Sequence, residues 1–153
     1  MSTFQDTKEQ LYARCLDVVR QRIDTARAAM EAAQAAANEE SKSSAGDKYE
    51  TGRAMAQIER DQHARQLAEA LRLQQELARI DIGKPTPAVQ PGSVVLTDQG
   101  NYFIAVGAGR ITLGQTDYFA VSAASPVGTV LSNRRAGDRV LLHQKPILIR
   151  DVF

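Results

Sequence analysis

The sequence predicts an α+β protein: a long N-terminal antiparallel coiled-coil helical hairpin followed by a small β domain with one short helix. Three observations carry this. Up to Ile82 there is no proline, and glycine occurs only at Gly46 and Gly52, whereas all five prolines and the other eight of ten glycines follow. Apolar residues of the first half recur at steps of three and four, the period of one helical face. Those of the second half come in short β-branched and aromatic runs bounded by turn residues.

In the first half the helical stripe runs through Leu11, Cys15, Val18 or Val19, Ile23, Ala26, Met30, Ala33 and Ala37. Met55, Ile58, Leu67, Leu71 and Ala78 are expected to continue it on a second arm, widened by Leu73, Leu77 and Ile80. The reversal falls in Ser41-Lys42-Ser43-Ser44-Ala45-Gly46-Asp47. Each arm then has about 35 residues, or roughly 50 Å at 1.5 Å per residue. Large side chains gather toward both chain ends of the hairpin, while its far end is built from alanine, the strongest helix former. Alanine lets helices approach closely but buries little area, at ~25 cal/mol per Å². The free end is expected to be slim and less tightly held.

In the second half, 93–97, 102–106, 111–113, 118–122, 139–143 and 147–152 read as strands. Asp98-Gln99-Gly100-Asn101 and Leu113-Gly114-Gln115-Thr116 supply turn chemistry. Ser125-Pro126 ahead of Val127-Gly128-Thr129-Val130-Leu131 places a capping serine before a proline at the first helical position, predicting one short helix. The expected organisation is a hairpin over 1–82 with its tip near 41–50, a proline-rich, semi-rigid linker over 83–92, and the β domain over 93–153.

The formal net charge of +1 gives no bulk electrostatic case for nucleic acid, membrane or acidic partners. Cys15 is the single cysteine, which excludes an intramolecular disulfide and a thiolate metal cluster. No signal peptide is read at the N-terminus, and no run approaches the ~20 apolar residues of a membrane span. The expectation is a cytoplasmic protein without a membrane partner.

Gly46-Asp47-Lys48-Tyr49-Glu50 is the sharpest candidate for chemistry. With a helix starting near Asp47, Asp47 and Glu50 share one face with Cβ atoms ~5–6 Å apart. Their repulsion is about 0.7 kcal/mol in water and nearer 3 kcal/mol at an effective dielectric of 20. The pair is harmless in solvent and costly in a confined site unless a cation joins it. Two hard carboxylates suit Mg²⁺, which takes one or two protein carboxylates and fills its shell with water or phosphate oxygens. Acidic first turns also serve helices by opposing the dipole, and Asp47 is equally suited to a plain cap.

Other candidates carry less. Cys15 with His63 or His143 as a thiol–base pair is countered by the place of Cys15 on the apolar stripe, where a cysteine behaves as a small hydrophobe. The two histidines lie in different halves, which argues against zinc. Gly107-Ala108-Gly109-Arg110 is too short for a phosphate loop, and Arg134-Arg135 reads as a solvated turn.

Two stretches resemble the bacterial Gre transcript-cleavage factors. Gly46-Asp47-Lys48-Tyr49-Glu50 is similar to the family's Gly-Asp-x-x-Glu tip motif and falls at the matching point of a helical hairpin. Ser122-Ala123-Ala124-Ser125-Pro126-Val127-Gly128-Thr129-Val130-Leu131, followed by Ala136-Gly137-Asp138-Arg139-Val140, resembles the family's C-terminal pattern and is the more specific match.

The resemblance implies an FKBP-like C-terminal β domain that docks at the rim of the RNA polymerase secondary channel, and a hairpin that enters the channel. It implies an accessory factor and not an enzyme: the polymerase cleaves its own backtracked RNA, and the factor meets that RNA only indirectly. Asp47 and Glu50 would help hold a Mg²⁺ shared with the polymerase, with no cofactor bound by the chain alone. Ser125, Pro126, Val127 and Gly128 would mark a partner-binding helix start, although the same residues serve folding equally well. The chain departs from the pattern after the tip, where Thr51-Gly52-Arg53-Ala54 replaces Asn-Ala-Glu-Tyr, and Lys48-Tyr49 stands between the acids. Polymerase binding is therefore the safer expectation, with a non-cleaving regulator and a coiled-coil adaptor without metal chemistry as alternatives.

Overall fold

The computed structural model describes the backbone of residues 3–42 and 47–153, and side chains outside 40–49. Most of the expected reversal, and the side chain of Asp47, lie outside the described residues. Among those described are three α-helices and six strands: α1 (Phe4–Lys42), α2 (Asp47–Ala78), β1 (Val94–Thr97), β2 (Gly100–Ala105), β3 (Gly109–Leu113), β4 (Thr116–Ser122), α3 (Pro126–Leu131), β5 (Arg139–Leu142) and β6 (Lys145–Val152). The architecture is α+β, a hairpin of two long helices followed by a sheet and one short helix.

The arms are unequal, at 39 and 32 residues. The seam on α1 follows expectation, with Leu11, Cys15, Val19, Ile23, Ala26, Ala33 and Ala37 buried. On α2 the expected phase is wrong. Met55 and Ile58 are 60% and 64% exposed and Ala78 is exposed, while the buried positions are Ala56, Ala70 and Leu77. The seam is carried by small side chains, so the larger neighbours pull a hydrophobicity reading about one position out of phase. His63 and Leu67, half-buried between Ala56 and Ala70, complete the seven-residue repeat.

The chain divides into two compact units, Val19–Gln74 and a second unit of Met1–Val18 with Gln75–Phe153. The ends of the hairpin thus fold with the sheet. Tyr12 Oη donates to the carbonyl of Leu77 at 2.7 Å, and Lys8 Nζ to that of Lys84 at 3.2 Å. Phe4 stacks on Phe153 with ring centroids 4.0 Å apart.

Residues 83–92 are not a free-running spacer. Val89 is wholly buried in the core beneath α3 and exchanges backbone hydrogen bonds with Asn133 and Arg134 at 2.9 Å. Thr86 is buried too, and its hydroxyl accepts from Ser93 Oγ at 2.7 Å. Proline removes donors and extends the chain, but it leaves the residues between prolines free to pack.

The six strands lie in the order β3-β4-β2-β1-β6-β5. The β2–β4 pair is parallel and the other neighbours are antiparallel. β4 enters between β2 and β3, and the chain after β4 crosses through α3 to reach β5. Leu131 of α3 belongs to one buried core cluster with Val95, Ile104, Val140, Ile147, Ile149 and Val152. β5 stops at Leu142, one residue before expectation, because His143 and Gln144 take φ of 52° and 66° and form the tip of the β5–β6 hairpin. Both turn positions in the left-handed region match the twist of the flanking strands, a geometry usually given to Asn-Gly.

Candidate functional site

α2 begins at Asp47, so Asp47 and Glu50 both belong to its first turn, three positions apart. Glu50 is exposed and Arg53 stands one turn later, also exposed. Among the described residues, the nearest buried seam positions are Ala37 on α1 and Ala56 on α2. Glu50 offers its carboxylate to solvent. Among the described residues no three His, Cys, Asp or Glu side chains come together as a metal cage.

The second stretch, 122–128, is described in full. Ser125 caps α3: its Oγ accepts from Gly128 N at 3.0 Å and donates to the Ser122 carbonyl at 2.6 Å. Pro126 occupies the first helical turn, where its missing N–H is no loss, and is exposed. Val127 is half-buried against the core, and Gly128 is buried. A Cβ on Gly128 would lie 2.2 Å from the Ser122 carbonyl oxygen and 2.9 Å from that of Ala123. Only glycine allows the end of β4 to pass so close to the helix. The four residues named as a partner-binding start therefore share one local folding device, and Pro126 is the one that faces solvent.

Cys15 is fully buried, and burial pushes its thiol pKa from an ordinary 9.0 up to about 12. A neutral thiol sealed in a helix seam is not a nucleophile. His63 and His143 lie in separate units, as the sequence suggests. Two features escape the sequence reading. Lys8 is 3% exposed, and burial holds its pKa below the usual 10.5 against the opposing pull of Asp81. Tyr12 reaches across to a carbonyl near the end of α2, a helix with no basic residue in its last turn. Lysine and tyrosine ordinarily signal surface, so nothing in their spacing marks them as tethers.

Among the described residues, no helix is long and apolar enough to cross a membrane. No protein-family model matches the chain. No curated protein matches it either. Among solved structures it is similar to GreA factor homolog 1 (Gfh1) of Thermus thermophilus at 20% identity, over 93% of this chain and 94% of that one, with a TM-score of 0.34.

Proposed function

We propose that the chain is a Gre-like transcription factor that binds bacterial RNA polymerase through the secondary channel and its rim, and that the tip carboxylates support Mg²⁺-dependent cleavage of backtracked RNA. The observation that carries this reading is the Gly-Asp-x-x-Glu element at the reversal of a long hairpin, with Asp47 opening α2 and Glu50 exposed one turn in. The Ser125-Pro126-Val127-Gly128 element, at the start of the only short helix among the described residues, supports the same reading from the other half.

On this reading the polymerase performs the hydrolysis. Mg²⁺ bound there would favour ionisation of the attacking water and stabilise charge in the displacement. The chain's own part is to place two carboxylates where a confined, low-dielectric channel makes their mutual repulsion unfavourable until a cation arrives. The slim alanine seam behind the tip suits entry into a narrow passage. Thr51-Gly52-Arg53-Ala54, which departs from the family pattern, favours a second reading: a regulator that occupies the channel without promoting cleavage.

The test is a cleavage assay on backtracked elongation complexes built with polymerase from the same organism. Faster Mg²⁺-dependent RNA shortening, lost in Asp47→Asn/Glu50→Gln, is the expected result. No shortening, but displacement of another secondary-channel factor, selects the non-cleaving regulator. Absence of both sinks the polymerase reading and leaves a coiled-coil adaptor.

A further inference from the structure

A groove of about 270 Å³ lies along one flank of the hairpin shaft, lined by Arg20, Ile23, Asp24 and Arg27 of α1 and Leu71 and Gln74 of α2. Ile23 is buried and Leu71 half-buried, so the floor is apolar, while Arg20, Asp24 and Arg27 are exposed along its wall. None of these three is ion-paired among the described residues. Their order is basic, acidic, basic at intervals of four and three positions, which spans about 10.5 Å of helix.

The complement of that wall is a helix presenting acidic, basic and acidic groups at the same intervals. α2 carries such a set itself: read backward, Glu76, Arg72 and Glu69 are spaced four and three. Arg72 and Glu69 are bridged to each other, and the hydrogen bond from Arg72, opposed by slight desolvation and helped by its charge, keeps the Glu69 carboxyl below its usual range. Leu73 sits in the middle of this set and is half-buried. Glu69 and Leu71 are two positions apart, about 200° around the helix axis, so the acidic set and the groove are on opposite flanks. One molecule cannot close this contact on itself.

We infer that the groove receives the Glu69–Arg72–Glu76 face of a second copy of this chain, packed antiparallel. Arg20 then meets Glu76 of the second copy, Asp24 meets Arg72, and Arg27 meets Glu69, with Leu73 over Ile23 and Leu71. Reversing the direction of the incoming helix exchanges the four- and three-residue intervals and breaks the register. Because donor and acceptor faces differ, the contact is heterologous and does not close into a symmetric pair; copies add in rows as concentration rises. This inference is independent of the polymerase reading, since it concerns the shaft and not the tip.

Sedimentation velocity of the full chain over a range of micromolar concentrations tests it. The expected result is an average mass that climbs with concentration at low salt and falls back at high salt, as exposed ion pairs are screened. Arg20→Glu/Arg27→Glu and, separately, Glu69→Arg/Glu76→Arg each weaken association by roughly tenfold or more. An equimolar mixture of the two variants restores it, because the intact groove of one receives the intact face of the other and the two charge-reversed faces complement each other as well. Helix content by circular dichroism, unchanged in both variants, separates lost docking from lost folding. A chain that stays monomeric throughout, association indifferent to either reversal, or no rescue in the mixture overturns the inference.

Discussion

The two stretches that resemble one family behave oppositely in the fold. At 125–128 the residues serve folding, as a cap, a pre-set first turn, a core contact and a glycine under a carbonyl oxygen. At the tip, Glu50 is exposed, and the seam behind it holds only alanines. A motif explained by packing says little about what a protein does, because the same atoms are needed for any use of the fold. A motif that packing leaves unexplained points outward. The contrast with the exposed Glu50 can be broken by measuring what each stretch contributes to stability.

The largest effect is expected at Gly128. Gly128→Ala drives a methyl into the Ser122 carbonyl and should lower unfolding stability by roughly 3 kcal/mol or more, seen as a shifted urea midpoint. Stability near that of the parent would mean that the strand end yields easily, and the contrast with the tip would lose its sharpest point.

Alkaline pH gives the next effect. Folded Cys15 titrates near 12 and its unfolded counterpart near 9.0, so the unfolded chain releases its proton first and stability falls as pH rises between those values. The slope from this group is about 1.4 kcal/mol per pH unit. Lys8 acts in the other direction over a window below 10.5: its folded pKa is lowered, so the folded state sheds its proton first and stability rises with pH there. Cys15→Ala should flatten the alkaline loss relative to the parent; an unchanged pH profile would show the thiol is not sealed in the seam.

Ser125→Ala removes the acceptor for Gly128 N and should cost about 1 kcal/mol by chemical denaturation. Last comes the tip. Asp47→Asn/Glu50→Gln should leave stability within about 0.5 kcal/mol of the parent, as for surface changes generally. A tip substitution as damaging as Ser125→Ala would return Asp47 and Glu50 to ordinary helix capping.

Much of the fold is legible because local chemistry agrees with it. Alanine-rich periodicity marks both long helices, β-branched runs bounded by glycine mark all six strands, and Ser125-Pro126 marks the start of α3. What is missed has physical causes. Alanine writes a weak hydrophobic signal, so a hydrophobicity reading moves the seam of α2 onto Met55 and Ile58. The insertion of β4 between β2 and β3 depends on pairing between distant segments, which no local window contains. His143 and Gln144 adopt left-handed backbone without the glycine or asparagine that announces it. At the tip, the sequence names the residue pair, and α2 begins at Asp47. It could not announce the groove, since Arg20, Asp24, Arg27 and Leu71 come together only when the two arms pair.

The last strand in sequence is an interior strand of the sheet. β6 lies between β1 and β5, and Phe153 exchanges both backbone hydrogen bonds with Val94 while Phe4 stacks on its ring. During synthesis the arm segments Val19–Gln74 can pair before the sheet is complete, because they form a unit of their own. The β domain has to wait for its final residues, with β1 and the Phe103 strand carrying unsatisfied apolar surface until then. A stalled or truncated chain would thus carry a finished helical unit and an unfinished sheet, and quality control would meet it at the sheet.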